Sequence, residues 1–353
     1  MNLRALNHKK NLYLRSLKLK MGKFLFDVQN KNYFTPSQVT SFKKILFLRN
    51  DNKIGDMIVS TLAFRELKKQ LPAVQISVLA GPNSAQILQG NPYVDRVFVY
   101  KKGLQQLFRL GRLLKQEHFD LYIDLDKLPS AQTLYLLSRM QPRFAFGFNR
   151  QQYRLYNITM SFAFDVHITQ WYSYVFGALG LQAPAAGYDL FLPEDSIRRA
   201  EEFLGRLPRR PNIIVNMFGA SRYRCLCDGQ IKAFAGLMPN CNVVVVGEAR
   251  RVETFKNSFH HQNISNLFWQ PKNSTLFDVF ALISAGDVFL SPDTGLVHAA
   301  SALGKKQVCI YKSSDLANQQ VWAPLGPSAI IQAPDSFADL DMHPVADEIK
   351  KYI

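Results

Sequence analysis

Two short stretches hold residue types that can do chemistry together. The first is Arg49-Asn50-Asp51-Asn52-Lys53-Ile54-Gly55-Asp56. Gly55 permits a tight turn or the close approach of a ligand. Asp56 falls where a helix begins, which suits a capping carboxylate and equally a general base at a ligand cleft. The second is Ser291-Pro292-Asp293-Thr294-Gly295-Leu296-Val297-His298, running on to Gly304. Small polar residues ahead of a helix present backbone N–H groups and the positive end of the helix dipole, both suited to phosphate. Thr294 and Gly295 are placed to meet a diphosphate, and His298 lies one turn further on. A single helical histidine is more often structural than ligating. The chain contains neither G-x-x-x-x-G-K-[ST] nor G-x-G-x-x-G, so the phosphate loops of P-loop enzymes and dinucleotide binders are not expected.

Both stretches must be held by strand-to-helix turns. Ile45–Leu48 is a short apolar run that reads as a buried strand, followed by a polar loop and a helix from Asp56 to Gln70 that Pro72 ends. Strands are expected at Val74–Leu79, Val94–Tyr100 and Leu121–Leu125, with helices at Ser84–Leu88 and over 104–116. The stretch 181–195, rich in Pro, Gly and Ala, reads as a linker. The alternation then restarts, with strands at Asn212–Asn216, Asn242–Val246, Val288–Leu290 and Gln307–Tyr311. Helices over 228–238, 275–285 and 294–303 separate them. Strand–helix alternation at this spacing implies βαβ units and parallel sheets. The expected class is α/β, with two Rossmann-like domains facing across a cleft. The expected divisions are a basic N-terminal extension over 1–43 and Rossmann-like domains over 44–183 and 184–353. Ligands in such folds bind at the carboxyl edges of the strands.

The 353 residues are 47% hydrophobic and 20% charged, as for a soluble protein with a substantial core. No apolar run of about 18 residues is present and the start lacks a secretory signal, so the chain reads as cytoplasmic. Cys225, Cys227, Cys241 and Cys309 are expected as reduced thiols, and their spacing fits no zinc site. Net charge is +16, and residues 1–44 carry ten Lys or Arg against Asp27 alone. The plain reading of that segment is a solvated basic tail. The alternative is peripheral contact with an anionic membrane, because Leu12, Leu14, Leu17, Leu19, Met21, Phe24, Leu25 and Phe26 interleave with the charges. Nucleic-acid binding would use the same charge, but no recognition motif supports it.

The stretch I-L-F-L-R-N-D-N-K-I-G-D-M-I-V-S-T-L-A-F-R-E-L, with S-P-D-T-G-L-V-H-A-A-S-A-L-G-K, resembles the family 9 glycosyltransferases, the ADP-heptose:lipopolysaccharide heptosyltransferases. His167, Trp171, Tyr172 and A-L-G-L at 178–181, then N-M-F-G-A-S-R-Y-R at 216–224, extend the resemblance over roughly 45–330. It implies a GT-B fold and an inverting transfer without metal or other cofactor. Asp56 is then the base that deprotonates the acceptor hydroxyl. Asp293, Thr294, Gly295 and His298 match the donor-binding D-T-G-x-x-H motif, and Arg224 or Arg222 meets the donor diphosphate. Glu248, after the V-V-V-V-G strand, reads as a ribose ligand or as a solvated loop acid. Arg49, Lys53, Arg139, Arg143, Arg150 and Arg154 are candidates for an anionic acceptor, against the plain reading of a basic surface.

The function the resemblance implies, with 44–183 as the acceptor domain and 184–353 as the donor domain, is heptose transfer from ADP-heptose to the acidic sugar Kdo of lipid A, at the cytoplasmic face of the inner membrane. A later inner-core heptosyltransferase, or a related GT-B enzyme using another nucleotide sugar, keeps the fold and changes the ligands. A catalytically inactive sugar-nucleotide-binding protein is the reading from another class. The heptose position and the oligomeric state are not legible.

Overall fold

The computed structural model describes residues 3–259 and 264–353, with residues 3–9, 12 and 258 described by their helical backbone alone. The side chains of Arg4, Lys9 and Leu12, counted above in the basic segment, lie outside the described residues.

Short apolar runs buried on both faces dictate parallel sheets here. The chain-order elements up to residue 178 are α1 (Leu3–Phe26), β1 (Lys44–Arg49), α2 (Ile54–Gln70), β2 (Gln75–Ala80), α3 (Pro82–Ala85), β3 (Arg96–Val99), α4 (Leu104–Lys115), β4 (Leu121–Asp124), α5 (Ala131–Met140), β5 (Phe144–Phe148), β6 (Ile158–Met160) and α6 (Ile168–Ala178). Their strands form a six-stranded sheet in the order β3-β2-β1-β4-β5-β6. Every pairing is parallel, with Leu48 opposite both Leu79 and Asp124.

The remaining elements are α7 (Glu194–Gly205), β7 (Asn212–Asn216), α8 (Asp228–Leu237), β8 (Asn242–Val246), α9 (Ala249–Ser258), β9 (Leu267–Trp269), α10 (Leu276–Ala285), β10 (Val288–Pro292), α11 (Gly295–Ala302), β11 (Lys306–Lys312), α12 (Leu316–Trp322), β12 (Ser328–Ala333) and α13 (Met342–Lys350). They build a second parallel sheet, β12-β11-β10-β7-β8-β9. In each sheet the strand order reverses beside a central strand, which is the doubly wound arrangement.

The chain divides into two compact units. One comprises 1–53 and 62–185, and the other comprises 54–61 and 186–353. The opening turns of α2 therefore count with the second unit. Each has its own apolar core, around Leu46, Leu48, Tyr122 and Leu134 in the first and around Val215, Phe234, Val245 and Leu290 in the second.

Helix α1 is not a loose tail. Leu19 and Phe26 pack on the core of the first unit. Phe26 lies edge-on to Tyr135 of α5 at 5.3 Å. Past the helix, Asp27 accepts from the Leu155 amide at 3.0 Å, and its carbonyl accepts from Arg154 at 2.9 Å. Among the described helices none is long and apolar enough to cross a membrane. All four cysteines are free.

Candidate functional site

Two clusters lie at the carboxyl edges of the two sheets. In the second unit, β10 ends at Ser291-Pro292 and α11 begins at Gly295. Thr294 caps the helix, its hydroxyl accepting from the Leu296 amide at 3.3 Å. Asn216, at the end of β7, donates to Ser291 Oγ at 3.0 Å and to Thr294 Oγ1 at 3.4 Å. The turn is thereby fixed from the neighbouring strand.

The loop after β7 places the two arginines differently. Arg224 forks across two carboxylates, with Nη1 at 2.9 Å from Asp293 and Nη2 at 2.9 Å from Asp315. Asn318 of α12 donates to the same Asp293 oxygen at 2.8 Å. Burial raises the Asp293 pKa, with Asp315 adding to the rise and Asn318 and Arg224 opposing it. Arg222 instead lies over the Tyr223 ring at the surface. Gly219 is required here, since a Cβ at that position would stand 2.2 Å from the Arg224 carbonyl oxygen. Arg224 is held at the start of α11 and Arg222 is not.

The first turn of α2 belongs to this same unit and meets the same place. A Cβ on Gly55 would stand 2.9 Å from Gly295 Cα and 2.9 Å from His298 Cδ2. A Cβ on Gly295 would stand 2.6 Å from Ile54 Cγ1. Two glycines thus let two helix starts touch, each presenting the positive end of its dipole. Asp56 follows directly, in the first turn of α2 and half-buried. Lys53, not Asp56, occupies the N-cap position, so the capping role read from sequence is corrected. His298 is buried edge-on to Tyr188 and Trp322, at ring separations of 6.0 and 5.8 Å.

Glu248 is the exposed N-cap residue of α9. With Phe218, Arg250, Arg251, Thr254 and Phe255 it lines a cavity of about 450 Å³. Arg251 lies over the Phe218 ring, 4.5 Å from its centroid. The opening, with two aromatic rings and cations beside a carboxylate, is suited to a nucleoside.

The first unit holds the other cluster, centred on a buried ion pair. Arg150 is fully buried, with Nη2 at 3.2 Å from Asp124 Oδ2. It also donates to the carbonyls of Phe148 at 2.8 Å and Lys127 at 3.2 Å. Tyr156 donates its phenol to Asp124 at 2.5 Å. Gly147 makes room for both, since a Cβ would stand 2.5 Å from Arg150 Cγ. Asp126 follows on the turn, its amide donating to Asp124 at 2.9 Å. Burial, with the adjacent Asp124 charge, pushes its carboxyl up to about 7, against the pull of Arg49 and Arg150.

The arginines expected to receive an anionic acceptor do not form one cluster. Arg150 is consumed by Asp124 and three backbone carbonyls, so it cannot receive a ligand, and its assignment is corrected. Arg154 is exposed but tied to the Asp27 carbonyl. Arg139 and Arg143 are exposed and precede β5, which places them at the amino edge of the sheet. Arg49, at the end of β1, lies buried at the carboxyl edge, with Lys53 exposed beyond it. Sequence reading missed Asp124, Asp126, Tyr156, Asn216, Asp315 and Asn318. The D-L-D run closing β4 was the one available signal, being a pair of strand-end acids.

A model of glycosyltransferase family 9 (heptosyltransferase) matches residues 107–337. A protein of Escherichia coli K12, provisionally named lipopolysaccharide heptosyltransferase 4, is 24% identical over 99% of this chain and 98% of its own length. The lipopolysaccharide core heptosyltransferase OpsX of Haemophilus influenzae is 21% identical over 77% of this chain and 80% of its own. Among solved structures, E. coli ADP-heptose lipopolysaccharide heptosyltransferase II aligns with a TM-score of 0.71 at 19% identity, covering 88% of this chain and 98% of that one. E. coli heptosyltransferase WaaC with ADP-2-deoxy-2-fluoro heptose gives 0.67 at 17% identity, covering 88% and 100%. The shared architecture is the GT-B fold.

Proposed function

The chain belongs to glycosyltransferase family 9, the heptosyltransferases, and from that premise we propose that it moves heptose from ADP-heptose to the Kdo or inner-core region of lipopolysaccharide. The observation carrying this reading is the paired start of α2 and α11, with Arg224 locked beside it by Asp293 and Asp315. Helix-terminal amides and a guanidinium there would neutralise a diphosphate without a metal. The cavity at Glu248 would take the nucleoside, with the carboxylate on a ribose hydroxyl.

The chemistry then follows. The acceptor hydroxyl oxygen attacks the anomeric carbon of the heptose as the bond from that carbon to the β-phosphate oxygen breaks. The bonding pair leaves on ADP, where Arg224 and the start of α11 stabilise it. The acceptor proton passes to Asp56. Attack opposite the leaving group inverts the anomeric centre. Gly55 serves by bringing the Asp56 turn against Gly295.

A later inner-core acceptor is a second reading. It is favoured by the dispersal of Arg139, Arg143, Arg150 and Arg154, which leaves fewer cations for a strongly acidic acceptor. Transfer of labelled heptose from ADP-heptose to Kdo-lipid A, with and without one heptose already present, separates the two. In the productive assay Asp56→Ala should lower turnover on the order of a hundredfold or more, since positioned proton transfer contributes about 10²–10⁴. Full turnover in a folded Asp56→Ala protein would remove Asp56 as the base. Such an enzyme would work in the cytoplasm against a lipid-borne acceptor.

A further inference from the structure

Helix α1 has two apolar faces, and the fold uses only one. Leu19, Gly22 and Phe26 turn inward. A Cβ on Gly22 would stand 2.8 Å from Ala131 Cβ, so the helix lies close against the start of α5. On the other side Tyr13, Leu14, Leu17, Met21 and Phe24 share one arc of the helix. They are 70%, 39%, 44%, 56% and 89% exposed. A contiguous apolar stripe of this size left in water marks an interaction surface.

Charge identifies the partner. Exposed Lys10, Lys18 and Lys20 border the stripe, and α1 contains no acidic residue. Helix α4 continues the surface, because Phe108 lies edge-on to Tyr135 at 5.4 Å, as Phe26 does from α1. Leu104 and Phe108 are 73% and 52% exposed. The stretch 101–116 carries Lys101, Lys102, Arg109, Arg112 and Lys115, all exposed, with no acid. Two copies of so cationic a face would repel one another.

We propose that the outward face of α1, continued by Leu104 and Phe108 of α4, seats the protein on the headgroup layer of an anionic bilayer. The apolar side chains enter the acyl boundary while the lysines remain among the headgroups. Because the inner face of α1 is packed into the first unit, the helix docks as part of the body, not as a tether. The inference deepens the proposed function by naming the surface where a lipid acceptor is met, and rests on that reading for this purpose alone.

The test uses the full chain and vesicles of phosphatidylcholine, alone or with an equal amount of phosphatidylglycerol, with no sugar nucleotide present. The protein should co-sediment with the mixed vesicles, leave the neutral ones in solution, and be released by salt. Combined Leu17→Glu and Phe24→Glu should weaken binding on the order of tenfold or more, because the apolar insertion is removed. Thermal melting and transfer to a lipid-free, water-soluble acceptor should not change. Combined Lys18→Glu and Lys20→Glu should weaken binding to anionic vesicles in a separately folded variant. Equal binding to neutral vesicles, or undiminished binding by both variants, would overturn the proposal. So would a dimer of the unaltered protein that Leu17→Glu and Phe24→Glu dissolve while vesicle binding persists. Vesicle binding and heptose transfer are read independently, so either can fail alone.

Discussion

Asp126 sits where β4 hands over to a turn, with Asp124 behind it, Arg49 and Asp51 arriving from β1, and Arg150 from the loop after β5. Burial beside the Asp124 charge pushes its carboxyl up to about 7 from an ordinary value of 3.8. Well below pH 3.8 the group is neutral folded and unfolded, and folding carries no penalty from it. As pH rises from there to about 7 the unfolded chain ionises while the folded chain keeps its proton, so stability is lost, and beyond about 7 the loss is complete. Asp126→Asn should therefore raise the melting temperature relative to the unaltered chain by an amount that grows from pH 4.5 to about pH 8 and then levels. Parallel melting curves across that range would contradict this. The same cluster shows what residue types conceal. Arg150 stands in a basic, aromatic stretch and reads as a surface cation, yet it pairs with Asp124, 26 residues earlier. Only the adjacency of β4 and β5 brings those two together. Asp293, Thr294 and Gly295 were legible because their positions are local, set by one strand-to-helix turn.

At the scale of elements, apolar runs such as Ile45–Leu48 and Asn242–Val246 announced themselves as strands because both faces are buried. The run Phe144–Phe148 did not. Its alternation of aromatic and small residues carries Gly147, which is usually depleted in strands but here makes room for Arg150 and Tyr156. Helix α1 reads from sequence as a solvated basic tail or an interfacial helix on an anionic membrane because its lysines dominate. Gly22 is the residue that lets it lie on α5. Replacing it with valine forces the two helices apart and should destabilise the folded chain by about 1–3 kcal/mol, the usual cost of overpacking. Chemical denaturation should show this as a lower midpoint. An unchanged midpoint would mean that α1 contributes nothing to the fold.

At the scale of the whole molecule, two parallel sheets were foreseeable from alternation alone, with four strands of each legible, while β5, β6, β9 and β12 were not. The grouping of residues 54–61 with the second unit was not. Two long-range contacts accompany it: the Asp189 amide donates to Thr61 at 2.8 Å, and Gly55 and Gly295, 240 positions apart, each leave space for the other's backbone. The account depends on that junction as the seat of the donor diphosphate. A crystal structure of the protein with ADP tests it most directly. The phosphates are predicted within hydrogen-bond reach of Thr294, Gly295 and Arg224, with the nucleoside in the cavity beside Glu248. Phosphates bound away from the start of α11 and out of reach of Arg224 would contradict it.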